Sequence, residues 1–185
     1  LAGSSGATPI LSIASFPAGT LYLAAYSNGL VPEGTAYAIT MVEGGSTIRI
    51  GTPYDAVKSG TEKADLIYGY SDDTMSGLGG GDYIYGGYGR DIIDGGAGRD
   101  YLRGANGADS ILGGADDDDI NGNQGADTAR GGEGNDWVVG GQDADLLDGE
   151  AGNDIVYGNL GDDTAYGGSG DDWVRGGQGD DLIYG

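Results

Sequence analysis

The sequence predicts an all-β chain, a solenoid of very short parallel strands preceded by a small N-terminal β region. Three observations carry this. From Gly77 to Tyr184 the chain divides without a gap into twelve units of nine residues, beginning GLGGGDYIY, GGYGRDIID and GGAGRDYLR. Self-similarity at a fixed period is the mark of stacked repeat architectures. Glycine supplies 42 of 185 residues but proline only 4, which excludes the triplet pattern of collagen. The acidic excess is also local: of 30 acids against 8 bases, a net charge of −22, nearly all falls after residue 59.

Residues 1–59 read as a separate β region. Segments 20–26, 35–42 and 46–50 are strand-like, and the turn signals SNG, PEG and EGG separate them. Residues 1–19 look like a linker or an extended edge. Two readings stand: a cap over the first open rung of the solenoid, or the end of an upstream domain. The degenerate units GTEKADLIY (60–68) and the shortened GYSDDTMS (69–76) then open the repeat region, 60–185, with regular repeats over 77–184. GTPYDAVKS (51–59) is a weak candidate for an earlier unit.

Within each regular unit the first residue is always Gly and the sixth always Asp: Asp82, Asp91, Asp100, Asp109, Asp118, Asp127, Asp136, Asp145, Asp154, Asp163, Asp172 and Asp181. The eighth is always apolar, from Ile84 to Ile183. Glycine-rich sequence turns sharply because Gly tolerates positive φ. The last three residues then run as a short strand, expected to be only three residues long, with the middle side chain facing inward. Two units make one coil of turn, strand, turn, strand. Stacked coils bury the eighth-position row in a thin core and line each edge with a row of carboxylates.

This pattern resembles the RTX family, the glycine- and aspartate-rich nonapeptide repeats of exported bacterial proteins. The resemblance covers roughly 60–185 and implies a right-handed parallel β-roll that binds Ca²⁺. Calcium takes six to eight hard oxygen ligands, which suits rows of carboxylates that would otherwise repel one another. In the family the ligands are the sixth-position Asp side chains and the backbone carbonyls of the second and fourth positions. The matching carbonyl donors here are Gly87, Gly89, Gly96, Gly98, Gly107, Gly132, Gly134, Gly152, Gly168, Gly170, Gly177 and Gly179. Several units depart from the pattern: Asp116 and Asp143 replace the fourth Gly, and Asn123, Glu150 and Asn159 the second. Positive φ is less comfortable at such residues. The shortened unit 69–76 is expected to break the edge and to lack an ion.

About ten Ca²⁺ ions would nearly neutralise the repeat region. The alternative for the charge is a merely solvated acidic surface. One apolar side chain per nine residues is little against the entropy of ordering them, so the calcium-free repeats are expected to be disordered and to fold on binding. Free calcium is low in the cytosol and high outside, so the resemblance implies type I export of an unfolded chain and an extracellular or cell-surface location.

Other function classes are poorly supplied. The charge repels nucleic acid. Without Cys or His there are no disulfides, imidazole bases or conventional zinc sites. Each Asp has an equivalent in every unit, so none is singled out for acid–base work, and no catalysis is expected in this chain. No apolar run is long enough for a membrane span, and Leu1 opens no recognisable signal peptide. The chain reads as a fragment, since it stops at Gly185 where a new unit would begin.

Seventh-position side chains face outward. On one sheet they form the series Tyr83, Tyr101, Asp119, Trp137, Ile155 and Trp173, largely aromatic or apolar. Such a ladder suits sugar rings or a partner protein, self or other. Equally, stacked aromatics can simply steady neighbouring rungs.

Overall fold

The computed structural model describes residues 39–43, 46–50 and 57–185. Strands β1 (Ile39–Glu43) and β2 (Ser46–Ile50) come first, then β3 (Val57–Thr61), β4 (Leu66–Tyr68) and β5 (Thr74–Gly79). The regular repeats follow as β6 (Tyr83–Tyr88), β7 (Ile92–Ala97), β8 (Tyr101–Asn106), β9 (Ser110–Ala115), β10 (Asp119–Gln124) and β11 (Thr128–Glu133). They continue as β12 (Trp137–Gln142), β13 (Leu146–Ala151), β14 (Ile155–Leu160), β15 (Thr164–Tyr166), β16 (Trp173–Gln178) and β17 (Leu182–Tyr184).

Strands alternate between two sheets. The nine-stranded sheet runs β1-β2-β4-β6-β8-β10-β12-β14-β16, and the eight-stranded sheet runs β3-β5-β7-β9-β11-β13-β15-β17. Every pair from β2 onward is parallel, whereas β1 and β2 are antiparallel. The result is the expected all-β parallel solenoid, of about seven coils. The expected strand at 46–50 is β2, that at 35–42 overlaps β1, and that at 20–26 lies outside the described residues.

Register follows from the repeat. Residues eighteen apart face each other, as in Ile120↔Val138 and Ala129↔Leu147. The eighth-position side chains therefore stack into one continuous core running Ile84, Ile93, Leu102, Ile111, Ile120, Ala129, Val138, Leu147, Val156 and Ala165, all essentially without solvent exposure. Ile67 and Met75 extend it backward into the degenerate units. Val174 is partly buried, while Ile183 in the last rung is exposed.

The strands are longer than the sequence reading allowed. Instead of three residues, most span six, from the seventh position of one unit through the third of the next. Equivalent Gly-Gly segments meet at strand spacing in adjacent coils, so their backbone groups continue the ladder past the bend. The ladder skips only the first-position Gly: Asn121 and Asn123 pair, but Gly122 does not. The true turn is reduced to the fourth, fifth and sixth positions.

The second and fourth positions take positive φ in all twelve regular units. Asp116, Asn123, Asp143, Glu150 and Asn159 keep that conformation despite having side chains, and so do Leu78 and Ala105, which the sequence reading did not single out. A left-handed residue with a Cβ costs roughly 1–2 kcal/mol. The uniform coil imposes the geometry even there.

Candidate metal centre

The sixth-position aspartates sit where each turn enters a strand, and their side chains point inward. From Asp82 to Asp163 each is at most 3% exposed. Asp172 and Asp181, in the last coil, are only half-buried. One oxygen of each carboxylate is committed to the backbone. The Asp100 N–H donates to Asp118 Oδ1 at 2.8 Å, the Asp118 N–H to Asp136 Oδ1 at 2.8 Å, and the Asp136 N–H to Asp154 Oδ1 at 2.8 Å. A second ladder runs along the other edge, through Asp91, Asp109, Asp127, Asp145, Asp163 and Asp181.

The other oxygen has nothing. Oδ2 of Asp82, Asp91, Asp100, Asp109, Asp118, Asp127, Asp136, Asp145, Asp154 and Asp163 is buried with no hydrogen-bond partner. An unmet buried acceptor is costly, and a charged one more so. Burial accordingly pushes these carboxyls upward: Asp118 to about 8, Asp82, Asp91, Asp127 and Asp145 to about 7, Asp100 and Asp136 to about 6. Asp109, Asp154 and Asp163 rise for the same reason. The backbone bond to Oδ1 opposes the shift, and neighbouring carboxylates add to it, as Asp100 and Asp136 do at Asp118.

The first-position glycine makes this arrangement possible. A Cβ on Gly131 would lie 2.3 Å from Asp136 Oδ2 and 2.7 Å from the Gly149 carbonyl oxygen of the next coil. On Gly122 it would lie 2.1 Å from Asp127 Oδ2 and 2.8 Å from the Gly140 oxygen. Two oxygens thus crowd the space a side chain would fill, with no donor for the carboxylate. The invariance of Gly at that position was the signal, but the sequence reading assigned it only to the turn.

All twelve glycines expected as carbonyl donors have positive φ. Their carbonyls point along the stack: a Cβ on Gly114 would lie 2.1 Å from the Gly96 oxygen, and one on Gly152 1.5 Å from the Gly134 oxygen. Among the described residues no three carboxylate side chains gather as a metal cluster. A bound ion would therefore draw on backbone carbonyls for much of its shell. The donor set is entirely oxygen, hard and anionic, which fits Ca²⁺ rather than a soft-ligand metal. A bound ion supplies positive charge to the unmet oxygens; the chain supplies the stacked turns that hold those oxygens in place.

The outward row is also in register. Tyr83↔Tyr101↔Asp119↔Trp137↔Ile155↔Trp173 pair successively across one sheet. Trp137 is 54% and Trp173 69% exposed; Tyr83, Tyr101 and Ile155 are each 40% exposed. Arg99 and Arg103 both lie over the Tyr101 ring, at 5.9 and 6.0 Å.

No curated protein matches the chain. Four copies of the RTX calcium-binding nonapeptide repeat match it, at residues 67–102, 95–129, 130–165 and 157–185. These matches span the stacked turns whose carboxylates hold the unmet oxygens, and they cover more than half of the sequence. The chain belongs to the RTX calcium-binding nonapeptide repeat family, and its β-roll is a calcium-binding structural module.

Proposed function

We propose that this module belongs to a secreted protein and switches from disordered to folded when Ca²⁺ enters the turns outside the cell. The observation that carries the reading is the double row of buried carboxylate oxygens without partners. Without a cation each folded turn from Asp82 to Asp163 holds an uncompensated charge or an unwanted proton. With one, the folded state gains the ion's binding energy and the unfolded state does not. The sixth-position aspartates from Asp82 to Asp181 are the carboxylate ligands in this reading. About ten ions match the excess charge. The β1–β2 hairpin, joined to β4 through β2, serves as the cap of the nine-stranded sheet. Release of an unfolded chain through a type I exporter follows from the same switch.

The test is a Ca²⁺ titration of chelator-stripped protein, followed by far-UV circular dichroism, with Mg²⁺ as control. A cooperative gain of β signal with Ca²⁺ alone is expected. A full β spectrum in chelator would overturn the folding switch.

A second reading concerns the exposed row Tyr83, Tyr101, Trp137, Ile155 and Trp173, whose in-register exposure favours an extracellular assembly or glycan-binding face. Pull-down on immobilised polysaccharides, with and without Ca²⁺, is expected to retain the loaded protein. Particle sizing of the same samples separates glycan binding from self-assembly.

A further inference from the structure

The two degenerate turns differ from the regular ones in a way that bears on where ions bind. Asp65 is the sixth residue of unit 60–68 and Asp73 takes the equivalent place, the fifth, in the shortened unit 69–76, and both join the carboxylate ladders. The Asp65 N–H donates to Asp82 Oδ1 at 2.7 Å, and the Asp73 N–H to Asp91 Oδ1 at 2.8 Å. Both side chains are buried, at 5% and 2% exposure. Yet neither holds a buried oxygen without a partner.

Their partners come from the protein itself. Asp65 Oδ2 accepts from the Thr61 N–H and, at 2.9 Å, from the Thr61 hydroxyl. Asp73 Oδ2 accepts from the Tyr70 N–H at 2.8 Å, with the Ser71 N–H at 3.4 Å. Asp73 Oδ1 accepts from the ammonium of Lys58, a buried ion pair. Lys58 lies in β3 at an inward position, opposite Met75, in line with the row that is apolar in every later strand of that sheet. A buried lysine is costly unless its charge is met, and Asp73 meets it.

Backbone conformation divides at the same place. Among the described residues, positive φ begins at Leu78 and is absent from 57–76. In the shortened turn, and in the turn with Thr61 at the second position, the N–H groups face the turn's own carboxylate. From Gly77 onward the left-handed second and fourth positions withdraw those donors and Oδ2 is left unmet.

We infer that the ion row begins at the turn 77–82, and that Asp65 and Asp73 ligate no calcium because Thr61, the shortened turn and the Lys58 ammonium have taken the place of the cation. Resting on the calcium reading above, this assigns Lys58 as a built-in counter-charge that ends the row at its N-terminal side.

The test counts bound Ca²⁺ by equilibrium dialysis and elemental analysis on the full chain and on Asp65→Asn, Asp73→Asn, Asp91→Asn and Asp100→Asn, with circular dichroism of the loaded proteins to confirm the fold. Asp65→Asn and Asp73→Asn are expected to bind as many ions as the parent, and Asp91→Asn and Asp100→Asn fewer. In thermal melts of the loaded protein, Lys58→Met is expected to lower the midpoint and Lys58→Met/Asp73→Asn to recover it. A drop in ion count for Asp73→Asn equal to that for Asp91→Asn would overturn the inference. So would failure of the double variant to recover. Absence of calcium from the parent protein would instead overturn the calcium reading itself.

Discussion

The turns of residues 60–76 and those from Gly77 onward bury the same aspartate in the same ladder, yet complete its hydrogen bonding by different means. In the first group a hydroxyl, local N–H groups and a lysine ammonium face the carboxylate. In the second, which shares the first-position glycine with Gly60 and Gly69, the second and fourth positions take positive φ and an oxygen is left that no protein group reaches. On the function proposed above, the regular repeat exchanges self-sufficiency for dependence on a cation. On that reading, what makes a turn responsive to calcium is less the aspartate than the backbone conformation that withholds donors from it.

The largest effect is expected from closing the oxygen-lined space. Gly131→Ala places a Cβ 2.3 Å from Asp136 Oδ2 and 2.7 Å from a backbone oxygen. Overpacking of this kind costs about 1–3 kcal/mol, and blocking the ion adds to it. Urea denaturation at saturating Ca²⁺ should show the loss, together with a lower ion count. In the degenerate turn, where Oδ2 is already met, Thr61→Val should cost only about 1 kcal/mol for the lost hydroxyl bond and leave the ion count unchanged.

Next in size is the pH response, which distinguishes calcium-free from loaded protein. Burial pushes Asp82, Asp91, Asp100, Asp118, Asp127, Asp136 and Asp145 above the ordinary 3.8 in the folded state, to about 6 to 8. Between those limits the calcium-free folded state holds more protons than the unfolded chain, so protons favour folding there. That contribution is fully present below about pH 4 and is lost as pH rises through 6 to 8. Chelated protein is therefore expected to gain β signal on acidification from pH 8 to pH 5. Calcium must displace those protons, so its affinity is expected to rise over the same interval, as dialysis at each pH would show.

The smallest effect concerns strain. Glu150 holds a positive φ of 69° where most units carry Gly. Glu150→Gly should stabilise the loaded roll by about 1 kcal/mol, less whatever the extra flexibility of the unfolded chain removes. Asp73, outside the left-handed turns, offers no such gain.

Much of this was legible in the sequence because a nine-residue period constrains every coil alike. Twelve repetitions of Gly at the first position, Asp at the sixth and an apolar residue at the eighth fix two parallel sheets, a single core row and two carboxylate rows. The length of the strands was not legible: glycine pairs read as turn, and only stacking of identical coils lets Gly140 and Gly141 stand within a strand. Nor was the role of Lys58. It occurs once, in a stretch too degenerate to count as a repeat, and its meaning lies in a carboxylate fifteen residues away. Leu78 and Ala105 passed unnoticed for a related reason, since left-handed backbone at a leucine is dictated by its neighbours in the stack and not by its own preference.

The most direct measurement is a crystal structure of calcium-loaded protein with anomalous scattering data collected for Ca²⁺. Peaks are expected beside Oδ2 of the aspartates from Asp82 onward, at roughly 2.3–2.6 Å, and none at Asp65 or Asp73. A loaded roll with those oxygens still unpartnered, or with ions only at Asp117, Asp162, Asp171 and Asp180, which are exposed at the fifth position of their units, would contradict the assignment of calcium to the buried rows.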